Sequence, residues 1–278
     1  MYTVPLPRIG TDIAWRDAAK RLIGAGVSPD QILWDFGSDM SELFATPSIL
    51  PPLSRTVKAP KSFVALADTV VWHKDPQRFA RLYAVLWRLR HENGLMQDRA
   101  DPDLAKLRQM EKGVHRCKHK MKAFVRFRDL RQGGPRRSFA AWFEPTHHTV
   151  EFTAPFFARR FADMDWMIAT PDVTAQFVDG NLSFHPGQPK PDLPEDATEA
   201  LWGTYFCNIF NPARLKVSAM TSEMPKKYWK NLPEAQHIHG LISGAEAKVQ
   251  AMRDNAPTLP PERAAKIQRR LRDDKDAS

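Results

Sequence analysis

An amphipathic helix with a strongly basic side is the feature that most constrains how this chain can fold. Six apolar residues from Leu104 to Met121 recur at steps of three and four, which places them on one side of a helix. Gly113 interrupts the pattern at a cost of roughly 1 kcal/mol relative to Ala, which six in-phase positions outweigh. The six positions are Leu104, Leu107, Met110, Val114, Cys117 and Met121. A second, basic stripe runs beside them and consists of Arg108, Lys112, His115 and His119.

The positive charge of the chain is concentrated around this helix. Residues 106–137 hold twelve Lys and Arg against two acidic residues, a net charge of +10, whereas the whole chain carries +9 at pH 7. Charge that is clustered in this way favours an anionic partner, with nucleic acid ahead of a membrane or an acidic protein. The alternative is a basic surface that only faces solvent, which is the usual meaning of a charge run. Here the helix, the following turn and the next strand are all basic, which favours a binding surface.

The second half of the basic segment has the pattern of a β-hairpin. Apolar and basic residues alternate over 123–128, and a second alternating run covers 138–144. Between them, residues 132–135 read Gln-Gly-Gly-Pro, which is typical of a turn. We expect one face of the hairpin to carry Arg126, Arg128 and Trp142. Cations beside an aromatic ring suit a phosphate next to a stacked base.

Further strand patterns follow, so the predicted fold class is α+β. Strands are predicted at 166–169, 175–178 and 182–184, and Asp179-Gly180 between the last two is a hairpin signal. Together with the basic hairpin they give an antiparallel sheet of about four to five strands flanked by helices. The predicted domain organisation is an N-terminal unit over 1–45, a Pro-rich linker over 46–60, a main domain over 61–252 and a charged tail over 253–278.

Composition limits the class of protein and its compartment. With 278 residues, 42% of them hydrophobic, the chain can bury a substantial core. Two cysteines cannot form a disulfide framework or a four-thiolate metal site, and they suit a reducing compartment. The N-terminus lacks an apolar signal region, and there is no run of 18 apolar residues. We therefore expect a soluble cytoplasmic protein with no membrane contact and no cofactor.

The main functional prediction is nucleic-acid binding, with DNA as the partner. A second segment, residues 224–234, interleaves basic and aromatic residues in the same manner as the basic hairpin. Cations in both segments would contact phosphates, and aromatic rings would stack on bases. The predicted binding residues are Arg108, Lys112, His115, His119, Lys120, Arg126, Arg128, Trp142, Lys226, Lys227, Tyr228, Trp229 and Lys230.

The alternative is an enzyme that acts on nucleic acid through a histidine cluster. His115 and His119 have the i, i+4 spacing that can hold one metal ion, and His147 and His148 could complete the site. The chain has no G-x-S-x-G elbow, no P-loop and no G-x-G-x-x-G fingerprint, so no catalytic residue can be named. His185-Pro186-Gly187 matches one short piece of a uracil-DNA glycosylase signature, but a turn explains that tripeptide better.

Several longer motifs resemble a bacterial family of uncharacterised domains described as probable DNA metabolism proteins. HKMKAFVRFRDL, AWFEPTHH and APFFARRFADMDWMIATPD carry the likeness, which extends over about residues 1–252. Longer relatives in that family resemble fusions with a uracil-DNA glycosylase-type (UdgX-like) domain, and shorter ones occur beside a radical-SAM protein. The resemblance implies an accessory in DNA repair that acts with a uracil-DNA glycosylase-type or radical-SAM partner. It supplies no catalytic residues, because the family has no settled activity.

Overall fold

The computed structural model describes most of the chain as two compact units. Unit 1 is Met1–Ala197 with Lys230–Leu232, and unit 2 is Thr198–Trp229 with Pro233–Ser278. The residues described are 1–37, 49–53, 58–130, 136–191, 207–208, 210–211, 216–232 and 234–254. Part of the predicted linker and nearly all of the predicted tail therefore lie outside the described residues.

The described part of unit 1 contains five α-helices. They are α1 (Thr11–Gly24), α2 (Lys61–Val70), α3 (Arg78–Arg88), α4 (Pro102–Phe124) and α5 (Val150–Arg160). The basic helix α4 begins where Asp101 accepts a hydrogen bond from the Leu104 amide at 2.8 Å and Pro102 occupies the first turn. All six predicted apolar positions of α4 are buried, so the prediction of an amphipathic helix is confirmed. None of the described helices is long and apolar enough to cross a membrane.

Unit 1 also contains two β-sheets, and the predicted α+β class is confirmed. Strands β1 (Tyr2–Leu6) and β2 (Ile32–Phe36) form a parallel pair. The second sheet has five strands in the order β3-β4-β5-β6-β7 and is mostly antiparallel. Its strands are β3 (Arg128–Asp129), β4 (Ser138–Trp142), β5 (Asp165–Ala169), β6 (Val173–Val178) and β7 (Asn181–Pro186).

The larger sheet departs from the prediction at two places. Strands β4 and β5 are parallel, because α5 crosses over between them and returns the chain to the same end of the sheet. The strand predicted over 123–128 forms only at its end: α4 continues to Phe124, residues 125–127 have no regular secondary structure, and Arg128 and Asp129 pair with β4. The amide of Val125 still donates to the carbonyl of Met121 at 3.1 Å, so the helical hydrogen bonding ends only there.

The N-terminal residues share a hydrophobic core with the helices that follow them. Trp34 of β2 lies 6.2 Å from Trp15 and 5.8 Å from Tyr83, measured between ring centres. The Tyr83 hydroxyl donates to the carbonyl of Val27 at 2.7 Å. Because β1, α1 and β2 bury their apolar faces against α2 and α3, the structure places residues 1–37 in the same unit as the main domain. The predicted N-terminal unit over 1–45 is therefore not separate.

Aromatic residues join α5 to the larger sheet. Trp166 of β5 is 1% exposed and stacks on Phe177 of β6 with ring centres 5.4 Å apart. The ring centre of Phe157 on α5 lies 6.2 Å from that of Trp166. The ring centre of Phe127 lies 5.9 Å from those of both Phe157 and Trp166. This packing fixes α5 over the sheet and so determines which side of α5 faces away from it.

The described part of unit 2 is helical. Its helices are α6 (Val217–Glu223), α7 (Ala235–Ser243) and α8 (Ala245–Asp254). Helix α7 ends at Ser243, and Gly244 separates it from α8. The buried apolar residues of α7 are Ala235, Ile238 and Leu241, which follow each other at steps of three as expected for one side of a helix.

Candidate nucleic-acid interface

The exposed side of α4 carries cations that have no partner. Lys112 and Arg116 are exposed and make no hydrogen bond or ion pair in the described structure. His115, His119 and Lys122 continue the exposed side toward the end of the helix. Residues three and four positions apart on a helix are neighbours, so these side chains form one continuous strip.

Helix α5 extends this basic strip with aromatic rings and one more cation. The Lys118 ammonium lies 3.6 Å from the centre of the Phe152 ring, and the Lys122 ammonium lies 4.2 Å from that of Phe156. Burial lowers the pKa of Lys118, and the positive charges of Lys122 and Arg159 lower it further. The basic face is defined here as Lys112, His115, Arg116, Lys118, His119, Lys122 and Arg159, with Phe152 and Phe156 at its centre.

Three predicted phosphate contacts are instead used inside the protein. Arg108 donates to the carbonyl of Met96 at 2.7 Å and so fastens the turn before α4. Arg126 donates to the carbonyl of Ala123 at 2.7 Å and caps the end of α4. Lys230 lies 2.8 Å from a carboxylate oxygen of Glu144. Arg128 lies on the short strand β3 and is partly buried.

Three other predicted binding residues are buried, which corrects their assignment. Lys120 is only 6% exposed, because it lies three positions after Cys117 and so beside the buried side of α4. Trp142 is 9% exposed at the end of an inner strand, and its indole N–H donates to Glu144 at 3.0 Å. Tyr228 is 3% exposed. These side chains stabilise the folded chain and cannot reach a nucleic acid in this structure.

The segment Lys226–Asn231 is a short 3-10 helix. Within unit 2, the Trp229 indole donates to the carbonyl of Met224 at 2.9 Å, and its ring meets His239 edge to face at 5.7 Å. Lys226 and Lys227 are exposed, with Lys227 4.5 Å from the centre of the Tyr228 ring. Trp229 is therefore held in place within unit 2.

The four histidines of the metal hypothesis do not form one site. Among the described residues, no three His, Cys, Asp or Glu side chains group so as to hold a metal ion. His115 and His119 are exposed on the basic face. His148 lies 3.3 Å from a carboxylate oxygen of Asp172, whose pKa this contact lowers. The metal-dependent alternative therefore has no support in the described part of the chain.

His147 packs with His73 against the glycine of the basic helix. The two imidazole rings lie 4.3 Å apart between centres. The Nδ1 atom of His73 accepts a hydrogen bond from the Asp75 amide at 3.0 Å, and the Nδ1 atom of His147 accepts one from the Lys74 amide at 3.2 Å. A neutral ring that accepts at Nδ1 carries its proton on Nε2. Burial lowers the pKa of His73, with smaller contributions from nearby cations.

A buried arginine holds the turn that carries His73. Arg78 is 1% exposed and donates to the carbonyls of Val71 at 2.8 Å and Asp75 at 3.1 Å. Its guanidinium lies 4.4 Å from the centre of the Phe36 ring and 4.0 Å from that of Phe79. Burial lowers the pKa of Arg78 to about 10. The hydrogen bonds from Arg78 thus hold the turn between α2 and α3 in place. His73 and Lys74, which lie in this turn, can therefore position His147.

The sequence analysis did not identify the aromatic residues of the basic face. Phe152, Phe156 and Arg159 recur at steps of four and three, so the signal for a shared side of α5 was present. The rings that the sequence favoured, Trp142 and Tyr228, are buried. Sequence patterns do not predict which helix packs beside α4. The partial exposure of Phe152 and Phe156 results from the packing of α5 in that position.

The matched family includes the elements that build this interface. The family described as Domain of unknown function (DUF4130) matches residues 76–234, which contain α3, α4, α5 and the five-stranded sheet. No curated protein and no solved structure matches the chain. Because the match covers more than half of the 278 residues, the chain belongs to the DUF4130 family of domains of unknown function.

Proposed function

We propose that this protein binds nucleic acid through the basic face of α4 and α5. The observation that carries the proposal is the set of exposed Lys112, Arg116 and Arg159, which make no ion pair or hydrogen bond in the described structure. Unpaired cations attract phosphates and release their counterions on binding, which is the main source of affinity in such complexes. A surface that only solubilises the protein needs no partly exposed aromatic rings among its cations.

The geometry favours unpaired strands over a duplex. Phe152 and Phe156 lie one helical turn apart and are only partly buried, next to Lys118 and Lys122. Rings that are flanked by cations in this way suit bases that stack while their phosphates contact lysine and arginine. In a duplex the base faces are already stacked on each other, so the rings would contribute little.

We further propose that the bound nucleic acid is DNA and that the protein is an accessory in DNA repair. The support is the resemblance of its motifs to probable DNA metabolism proteins, which also suggests a uracil-DNA glycosylase-type or radical-SAM partner. The basic face would hold a stretch of strand while a partner performs the chemistry. The choice of DNA is testable separately, because the same oligonucleotide sequence can be made as RNA.

A salt titration tests the proposed interface. With four to six phosphates engaged, the logarithm of affinity for a labelled oligonucleotide should fall with log salt with a slope of about −3 to −5. Replacing Arg116 and Arg159 by Ala should reduce the slope by about one per lost contact, for every sequence alike. Lys61→Ala is the control, because Lys61 is an exposed cation at the start of α2 outside the basic face. Equal salt slopes for the parent protein, the double Ala variant and Lys61→Ala would rule out the basic face as the binding surface.

A further inference from the structure

A cavity of about 560 Å³ lies between α1 and α2 and is not part of the basic face. Its walls are mainly apolar and come from Trp15, Ala19, Phe63, Val64, Ala67 and Leu86. The volume is within the range of pockets that hold one small organic molecule. All of these residues except Leu86 precede residue 76, so the cavity lies almost wholly outside the part of the chain that matches the family.

The charged side chains that line the cavity carry a net positive charge. Lys20 and Lys58 line it, are exposed, and make no ion pair or hydrogen bond in the described structure. The Arg16 guanidinium and the Asp68 carboxylate also line it, but they pair with each other. The cavity therefore presents two uncompensated positive charges above apolar walls.

A buried donor in the wall lacks an acceptor. Trp15 is 4% exposed, and its indole Nε1–H has no hydrogen-bond partner in the described structure. Buried N–H groups are nearly always paired, with protein, water or ligand. An acceptor oxygen on a bound molecule would satisfy this group, whereas a hydrocarbon would leave it unpaired.

We propose that this cavity binds a small organic carboxylate with an aromatic body. The ring would fill the space beside Trp15 and Phe63, where burial of apolar surface favours binding. The carboxylate would lie near Lys20 and Lys58, which carry the matching charge. An inorganic anion such as phosphate fits less well, because the walls offer few donors for its oxygens. The proposal is independent of nucleic-acid binding.

A matched pair of probes tests both parts of the proposal. 1-Naphthoate and 1-naphthalenemethanol have the same ring system, but only the first carries a negative charge. The indole N–H signal of Trp15, assigned by comparison with Trp15→Phe, reports occupancy in a ¹⁵N-labelled sample of the full chain. We expect naphthoate to shift this signal and to bind about tenfold more tightly than the alcohol. Replacing Lys20 and Lys58 together by Ala should remove that tenfold difference.

A variant that blocks the cavity separates this site from binding elsewhere. Val64 is 41% exposed at the rim, so Val64→Trp should occlude the cavity without disturbing the core and should abolish binding of both probes. Lys61→Ala is the charge control, since Lys61 does not line the cavity. A Trp15 signal that does not move at millimolar naphthoate would overturn the proposal. Equal affinity for the two probes, or binding that survives Val64→Trp, would overturn it as well.

Discussion

The Nε2 atom of His147 lies 3.1 Å from the point that a Cβ atom at Gly113 would occupy. His73 approaches the same point to 3.6 Å, so the basic helix has a glycine at the position where the two neighbouring imidazole rings contact it. The rings cannot retreat easily, because His147 accepts the amide of Lys74 and His73 accepts that of Asp75. Gly113 thus lets the segment after β4 dock against α4.

Gly113→Ala should destabilise the protein despite the better helix propensity of alanine. In an exposed helix the change would stabilise by about 1 kcal/mol. Here the added methyl group displaces His147, and overpacking of this kind costs about 1–3 kcal/mol. We expect a net loss of roughly 1 kcal/mol in the free energy of unfolding, measured by urea denaturation.

The double variant with His147→Ala identifies the cause. Removing the ring opens the space, so Gly113→Ala on that background should become neutral or stabilising. A coupling free energy of about 1 kcal/mol or more between the two sites would be expected for residues in contact. Additive effects would mean that the cost of Gly113→Ala arises elsewhere.

The stability of the protein should fall on mild acidification because of His73. Folding lowers the pKa of His73 below 6.5, its usual value, mainly through burial. The unfolded chain therefore binds more protons as the pH falls through 6.5, and stability is lost until the pH passes the folded pKa. His73→Asn retains an acceptor for the Asp75 amide but does not titrate. Urea unfolding at pH 7.5 and 5.5 should show a smaller pH dependence for this variant than for the parent protein, and an equal pH dependence would contradict the role of His73.

Gly187→Ala should be far more disruptive than Gly180→Ala. A Cβ atom at Gly187 would clash with the carbonyl oxygen of Pro171, and this backbone atom cannot move aside without displacing the β5–β6 turn. Gly180 has a φ of +81° but open space around it, so alanine there costs only backbone strain of about 1–2 kcal/mol. We expect Gly187→Ala to lower the thermal midpoint more than Gly180→Ala does. Equal midpoints would show that the β5–β6 turn can shift.

Sequence periodicity was sufficient to predict the basic helix α4 and the fold class. The α4 stripe from Leu104 to Met121 is buried throughout, and strands β5, β6 and β7 lie where alternation and the Asp179-Gly180 turn placed them. The strand predicted at 123–128 is absent from most of that range, because residues 123 and 124 complete the last turn of α4 and residues 125–127 connect it to β3. A short alternating pattern cannot distinguish the start of a strand from the end of a helix, because the last turn of α4 can continue its backbone hydrogen bonding into the same residues.

The candidate site was only partly predictable, because charge alone does not reveal which cations are used internally. Arg108 and Arg126 satisfy carbonyl groups of nearby turns, and this depends on where the chain bends. The burial of Lys120 was predictable, since a residue three positions after Cys117 lies close to the buried side of the helix. The contact between Lys118 and Phe152 depends on the crossover that brings α5 beside α4, which no local pattern encodes.

Lys120→Met should leave nucleic-acid binding unchanged. The side chain is 6% exposed, and methionine keeps its length without the charge. Lys112→Met removes one exposed cation from the same helix, and we expect it to reduce the salt slope by about one. The comparison requires only oligonucleotide titrations at two salt concentrations. A reduced slope for Lys120→Met would contradict the assignment of Lys120 to the interior.

Phe152→Leu and Phe156→Leu should weaken binding of single strands but not of duplexes. Leucine preserves the apolar packing of α5 but offers no ring face, so the loss reports stacking on a base. Each stacked base is worth about 1–3 kcal/mol, and the salt slope should hardly change because no cation is removed. A duplex of the same sequence is the matched control, since its bases are already stacked. If the affinities for the single strand and the duplex fall equally, the phenylalanines stabilise the fold of α5 and do not stack on a base.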